Sequence, residues 1–237
     1  MVQSGQITFY THMYSPYCHR VHLALEEVHA DYKAVTINVM EWPQWYNTKV
    51  NPITRKIPAI TYGGPAAPPE DPSPEAVKLT ESMVIVEFLA DLFPGKLRPS
   101  DPVQLAYARL FIALFDTKVH EAFKGFFFLG APVSDLLDQL EAIQARLPET
   151  GFAVGEFSIA DVAAAPFLAR IMLLLENDIG KYPVGEGKKA FEELQKPKFA
   201  RLMKYIADLK ARPSFRASYD HAQVLFIWQN NPAIQRA

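Results

Sequence analysis

The stretch richest in chemistry is Tyr14-Ser15-Pro16-Tyr17-Cys18-His19-Arg20. It places a hydroxyl, a thiol, an imidazole and a guanidinium within one turn of chain. It follows a strand pattern over 7–11 and precedes a helical pattern carried by Val21, Leu23, Ala24, Leu25 and Val28. A strand-to-helix turn is therefore expected, with Ser15 as N-cap and Pro16 at the first helical position. The unpaired N–H groups and partial positive charge of a helix start stabilise a thiolate or carboxylate placed there. Ser15 and Cys18, three apart, share one face of that turn. Taken alone, the stretch reads as an ordinary cap followed by a buried cysteine; two later stretches change that reading.

The elements that must hold this turn follow from periodicity. A helix over 17–29 and a β-branched, alternating strand over 32–39 make a βαβ unit with a parallel pair. Residues 41–46 form an irregular aromatic turn. In Asn51-Pro52-Ile53-Thr54-Arg55-Lys56-Ile57-Pro58-Ala59-Ile60 a proline opens an apolar run, which suits the first residue of a strand. A cis Ile57–Pro58 bond would turn backbone groups of Ile57 toward a ligand; an ordinary trans proline also fits. The Gly- and Pro-rich stretch 63–73 is a surface loop and not a domain boundary, since the apolar pattern resumes at once. A short strand over 77–79 follows. Thr80-Glu81-Ser82 then caps a helix over 83–93, with Met83, Val86 (or Val84) and Leu89–Ala90 facing inward. Residues 94–102 are rich in proline and charge. Beyond them strand signals stop: helices are expected over 102–128, 133–147 and 158–175, with at least one more in 190–211.

The fold class expected is thus α/β followed by all-α, in two domains: 1–95, a linker 96–101, and an all-helical 102–237. At 237 residues, 49% hydrophobic and 21% charged, the chain is an ordinary globular protein. A net charge of −2 gives no reason to expect nucleic acid or an anionic membrane as partner. No apolar run approaches the roughly 20 residues of a bilayer span, and 1–6 carry no signal-like core. A single cysteine, Cys18, excludes an intrachain disulfide and fits a reducing, cytoplasmic compartment. Six histidines include His19 and His22 on one helix face, but no third ligand stands at metal spacing, so no metal is expected.

Three stretches in this order, the Ser-Pro-Tyr-x-His-Arg helix start, "NPITRKIPAI" and "TESMVIVEFLADLFPG", resemble the cytosolic glutathione transferases. A fourth, Gly155-Glu156-Phe157-Ser158-Ile159-Ala160-Asp161-Val162, resembles that family's buried capping box, in which Ser158 and Asp161 close a helix start reciprocally. The resemblance covers nearly the whole chain and is nearest to fungal omega-like members. It implies a thioredoxin-like first domain and a helical-bundle second domain. It also implies glutathione as co-substrate, with Glu81 and Ser82 on its γ-glutamyl end, the backbone of Ile57 before Pro58 on its cysteinyl part, and Lys56 near its glycine carboxylate. Family geometry further implies an acceptor site for hydrophobic or aromatic ligands, with Tyr17, Phe123, Phe127, Leu225 and Trp228 as candidates, and a homodimer.

One departure matters. Omega members typically carry Cys-Pro-Phe or Cys-Pro-Tyr at the turn; here that position is Ser15. A hydroxyl cannot exchange with a disulfide, but it can donate a hydrogen bond to the glutathione sulfur and favour its thiolate. The resemblance then implies a serine-type transferase, with Ser15 catalytic, that conjugates electrophiles or reduces peroxides. Three other readings stand beside it: a ligandin-like carrier of aromatic compounds, a thioltransferase working through Cys18, and a chain that keeps only the fold. The Phe126–Phe128 run is read both as pocket lining and as helix core.

Overall fold

In a computed structural model residues 5–236 are described. The chain divides between Leu97 and Arg98 into two compact units. Leu97 itself is buried.

The first unit runs β1 (Ile7–Thr11), α1 (Pro16–Val28), β2 (Tyr32–Thr36), a π-helical turn (Tyr46–Val50), β3 (Ala59–Tyr62), β4 (Val77–Thr80) and α2 (Ser82–Leu92). Its sheet has the order β2-β1-β3-β4, with β1 and β2 parallel and β3 antiparallel to both β1 and β4. This is the thioredoxin-like arrangement. α1 packs on α2, burying Val21, Leu25 and Val28 from one helix and Ile85, Val86 and Leu89 from the other. Val84, an alternative inward position in the sequence, is 54% exposed because Ile85 takes the core face. On a second core face Tyr10, Ile37, Tyr46, Val50 and Ala59 cluster together, with Trp45 and Ile57 packed against them.

The loop 63–73 is anchored. The Tyr10 hydroxyl donates to the Pro69 carbonyl at 2.8 Å, Lys49 pairs with Asp71 at 2.9 Å, and Ser73 is buried.

The second unit is helical: α3 (Pro102–Leu114), α4 (His120–Leu129), α5 (Val133–Gln144), α6 (Ile159–Glu176), α7 (Glu186–Leu194), α8 (Ala200–Ala211), α9 (Pro213–Ser218) and α10 (His221–Gln229). The single helix expected over 102–128 is interrupted by a π-helical turn, Phe115–Val119. The reason lies in its apolar spacing. Phe111, Phe115, Val119, Phe123 and Phe127 recur every four residues and are all at most 4% exposed. In a regular α-helix each such step drifts by about 40°, which would carry the last of them off the core face. The wider π turn absorbs that drift.

α6 is the central helix, with every residue from Ile159 to Leu175 buried. Its start is the expected capping box. The Ser158 side chain accepts from Ala160 N, and the Ser158 N–H donates to Asp161 Oδ2 at 2.8 Å. Asp161 Oδ1 also accepts from Ala153 N at 2.9 Å and from the Tyr205 hydroxyl at 2.7 Å. Among the described residues no helix is long and apolar enough to cross a membrane.

Candidate functional site

The sheet registers bring three distant stretches to one end of the first unit. Tyr10 in β1 lies opposite Ala59 in β3, which lies opposite Thr80 in β4. Since β3 is antiparallel to both neighbours, the chain leaves β1, enters β3 and leaves β4 at the same end. The turn with Ser15, the Ile57–Pro58 segment and the Glu81–Ser82 pair therefore share that end.

Ser15 caps α1. Its backbone is extended (φ −78°, ψ 121°), and its Oγ accepts from Cys18 N at 3.3 Å. The residue is 4% exposed. Its hydroxyl proton goes to no acceptor among the described residues, so the Oγ is held as an acceptor while its donor remains available. His12 lies just before the turn. Burial lowers its pKa, and the neutral ring accepts the Tyr14 N–H at Nδ1. Cys18 is 1% exposed, on the inward side of the helix. Tyr17 is 36% exposed, with the Arg20 guanidinium 5.6 Å from its ring centroid.

The Ile57–Pro58 peptide bond is cis. The loop before it is stitched by two residues that sequence reasoning passed over. Asn51, buried, donates from Nδ2 to the Thr54 hydroxyl at 2.7 Å and to the Lys56 carbonyl at 2.9 Å, and its Oδ1 accepts from Thr54 N. The Tyr46 hydroxyl donates to the same Lys56 carbonyl at 2.5 Å. Burial pushes the Tyr46 phenol well above its ordinary pKa, which keeps it a donor. The Asn51–Pro52 pair was the available signal, since asparagine side chains close turns on the backbone two or three residues on. The Lys56 side chain is exposed.

At the third stretch the side-chain cap expected from Thr80-Glu81-Ser82 is not formed. Glu81 stands at the cap position of α2, but neither it nor Ser82 caps the helix by a side-chain bond. Glu81 is exposed, and its backbone is in the left-handed region (φ 68°). A non-glycine residue there costs on the order of 1–3 kcal/mol, which points to a constraint other than helix formation. The Ser82 hydroxyl sits in the first turn of α2, beside the unpaired N–H groups of the helix start.

In the helical unit the aromatic candidates are core. Phe127 is fully buried between Phe126 and Tyr182, and the Tyr182 ring stacks on Phe126 at 4.2 Å. Phe123 (3% exposed) and Trp228 (1%) pack edge to face. An aromatic run that repeats every fourth position fills the interior before it lines anything solvent can reach. Leu225 is half-buried, and Phe226 beside it is 65% exposed. Of the histidines, His22 packs between Phe9 and Tyr32, with Glu26 at 3.8 Å. Among the described residues no group of three or more His, Cys, Asp or Glu is placed to hold a metal.

A thioredoxin-like unit with this three-part end, followed by a helical unit built on a buried capping box, defines a glutathione transferase fold. Residues 9–97 match the family described as "Glutathione S-transferase, N-terminal domain". The chain is 47% identical to glutathione transferase Omega 1C of Trametes versicolor, over 98% of this chain and 99% of that one, with a TM-score of 0.95. Glutathione transferase Omega 2S of the same fungus, solved with 2,4-dihydroxybenzophenone, is 46% identical over 97% and 99% of the two chains, with a TM-score of 0.91. Pyrimidodiazepine synthase of Drosophila melanogaster is 28% identical over 229 residues, 94% of this chain and 84% of its own. The chain belongs to the glutathione transferase superfamily and is omega-like.

Proposed function

We propose that this protein is a serine-type glutathione transferase in which Ser15 holds the glutathione sulfur as a thiolate for attack on hydrophobic, aromatic electrophiles. The observation that carries this reading is the Ser15 hydroxyl: its oxygen is fixed by the Cys18 N–H, and its proton is uncommitted at a helix start. A thiol near its reference pKa of ~8.5 is only a few per cent ionised at neutral pH. A hydrogen bond from Ser15, together with the N-terminal charge of α1, favours the anion. The thiolate then forms a carbon–sulfur bond: on an aryl halide the halide departs and the thiol proton passes to solvent, and on an isothiocyanate the sulfur adds to the central carbon while the C=N bond opens and its nitrogen takes up a proton.

Binding follows from the same end of the sheet. The carboxylate of Glu81, an exposed residue, suits the α-ammonium of the γ-glutamyl group. Ser82 and the first N–H groups of α2 suit its α-carboxylate. The backbone of Ile57, held through Lys56 by Tyr46 and Asn51, suits the cysteinyl peptide, and the Lys56 ammonium the glycine carboxylate. Tyr17 and Leu225 are the accessible acceptor candidates.

The dihydroxybenzophenone bound by the Trametes relative supports flat phenolic compounds as ligands, and so keeps a carrier role as second reading. The burial of Cys18 weighs against a thioltransferase. The test is steady-state conjugation of glutathione with aryl halides and isothiocyanates, comparing wild type with Ser15→Ala and Ser15→Cys. Conjugation that falls in the alanine variant, with disulfide exchange appearing in the cysteine variant, supports the transferase. A wild type that binds glutathione and phenols yet turns over no electrophile moves the carrier ahead.

A further inference from the structure

The connection from β1 to α1, His12-Met13-Tyr14-Ser15, must place the Ser15 hydroxyl with no glycine, asparagine or aspartate to close its turn. His12 closes it twice over. Its carbonyl accepts from Ser15 N at 3.1 Å, a backbone bond across the turn. Its Nδ1 accepts from Tyr14 N at 3.3 Å, as an asparagine side chain would from the residue two further on. The Tyr14 ring meets the imidazole edge to face, with centroids 5.7 Å apart. Both bonds bear on Ser15: one ends on its own N–H and the other on the N–H before it, so His12 fixes the two peptide planes that lead to the Ser15 Cα.

The bond at Nδ1 exists in one protonation state. A neutral imidazole that accepts at Nδ1 carries its proton on Nε2. The protonated ring donates at both nitrogens, so Nδ1 would then present an N–H to the Tyr14 N–H. His12 is half-buried. Among the described residues Tyr14 is the one titratable side chain in contact with the ring, and no carboxylate, lysine or arginine of the strands, helices or loops pairs with it. No anion favours the charged ring, and burial holds its pKa below the ordinary 6.5.

We propose that His12 is a positioning residue of the glutathione site: its neutral ring holds the turn that presents Ser15, and protonating that ring releases the turn and suppresses catalysis. This rests on the assignment of Ser15 as the group that holds the glutathione sulfur. As pH falls through the His12 pKa the acceptor is lost. The rate then drops by a second factor of about ten per pH unit, beyond the factor lost as the thiolate of glutathione is itself protonated.

The experiment measures kcat/KM for glutathione between about pH 4.5 and 7.5 in wild type, His12→Leu and His12→Asn. Leucine offers the Tyr14 N–H no acceptor; asparagine offers one that takes no charge. Near neutrality His12→Leu should lose at least tenfold, and His12→Asn should recover most of that loss. The ratio of wild type to His12→Asn should be level near neutrality and fall about tenfold per pH unit on the acid side. A ratio level at every pH, or His12→Leu within twofold of wild type, would overturn the proposal. Nuclear magnetic resonance of the isotope-labelled full chain gives a second reading that needs neither variant nor turnover. The Tyr14 and Ser15 amide shifts should move with the midpoint of the His12 ring, below 6.5, and the neutral ring should be the Nε2–H tautomer. Amides that stay still while His12 titrates would overturn it, whether or not the protein conjugates any electrophile. If Ser15→Ala leaves the rate unchanged, it is the assignment of Ser15 that fails; amides that move with the ring then still uphold His12 as what holds the turn.

Discussion

At the residue scale the chemistry rests on hydrogen-bond accounting. Ser15 has two tasks, and its variants separate them. Ser15→Ala removes the N-cap acceptor, which costs about 1 kcal/mol of stability. It also removes the donor to the sulfur, a bond to a charged group worth about 1.5–3 kcal/mol, so kcat/KM should fall roughly 10- to 100-fold. A rate unchanged within twofold, with the melting temperature lowered, would make Ser15 a cap alone. Glu81 is held with φ 68° and is exposed. Glu81→Gln should raise KM for glutathione about tenfold and leave kcat within twofold, since the γ-glutamyl end binds ground and transition states alike. A fall in kcat at unchanged KM would contradict that assignment. Ser15 was legible because a Ser-Pro pair before an apolar helix announces a cap. The unusual backbone of Glu81 was not legible, because nothing in residue type predicts φ > 0 for a glutamate.

At the element scale two devices hold the site and the core in place. The loop before β3 is pinned through the Lys56 carbonyl by Tyr46 and Asn51. Tyr46→Phe deletes one of these bonds, so a loss of about 1 kcal/mol in unfolding free energy is expected, together with a several-fold rise in KM for glutathione. Unchanged KM would mean that the loop keeps its position on Asn51 alone. The start of α6 depends on Asp161, whose carboxyl burial pushes up to about 6 against four hydrogen bonds that favour the anion. Between the ordinary carboxyl value of 3.8 and about 6 the folded chain retains a proton that the unfolded chain has released. This contribution to stability is therefore complete below 3.8, falls as pH rises through about 6, and is flat above that. Asp161→Asn removes the titration but leaves donors unmatched. Relative to that variant, the wild type should lose on the order of 2–3 kcal/mol between pH 4 and pH 7, read from chemical denaturation curves. Parallel pH profiles for the two proteins would show that Asp161 stays ionised in the folded state.

At the scale of the whole molecule, family membership carries an expectation of self-association. Exposed apolar side chains among the described residues include Val103, Tyr107 and Leu110 on α3 and Val77 and Val84 in the first unit. Multi-angle light scattering at micromolar concentration should report a homodimer, about twice the 26.7 kDa chain. A monomer under those conditions would remove the dimer from the reading and leave these side chains to other partners.

The sequence by itself determined the division into an α/β half and a helical half, the cap at Ser15, the box at Ser158 and Asp161, and the positions of most helices. Each of these is set by local periodicity or by a side chain bonding to backbone within a few residues. Tertiary structure alone decided which stretches meet. Ser15, Ile57 and Glu81 share one end of the sheet because Tyr10, Ala59 and Thr80 stand in register, and pairing between strands so far apart in the chain leaves no periodic trace. It likewise decided that Phe123, Phe127 and Trp228 are core, since a helix face says that a residue is apolar but not whether protein or a ligand covers it. The π turn at Phe115–Val119 belongs to the same class: a four-residue repeat is compatible with a straight helix until the core demands that every member face inward.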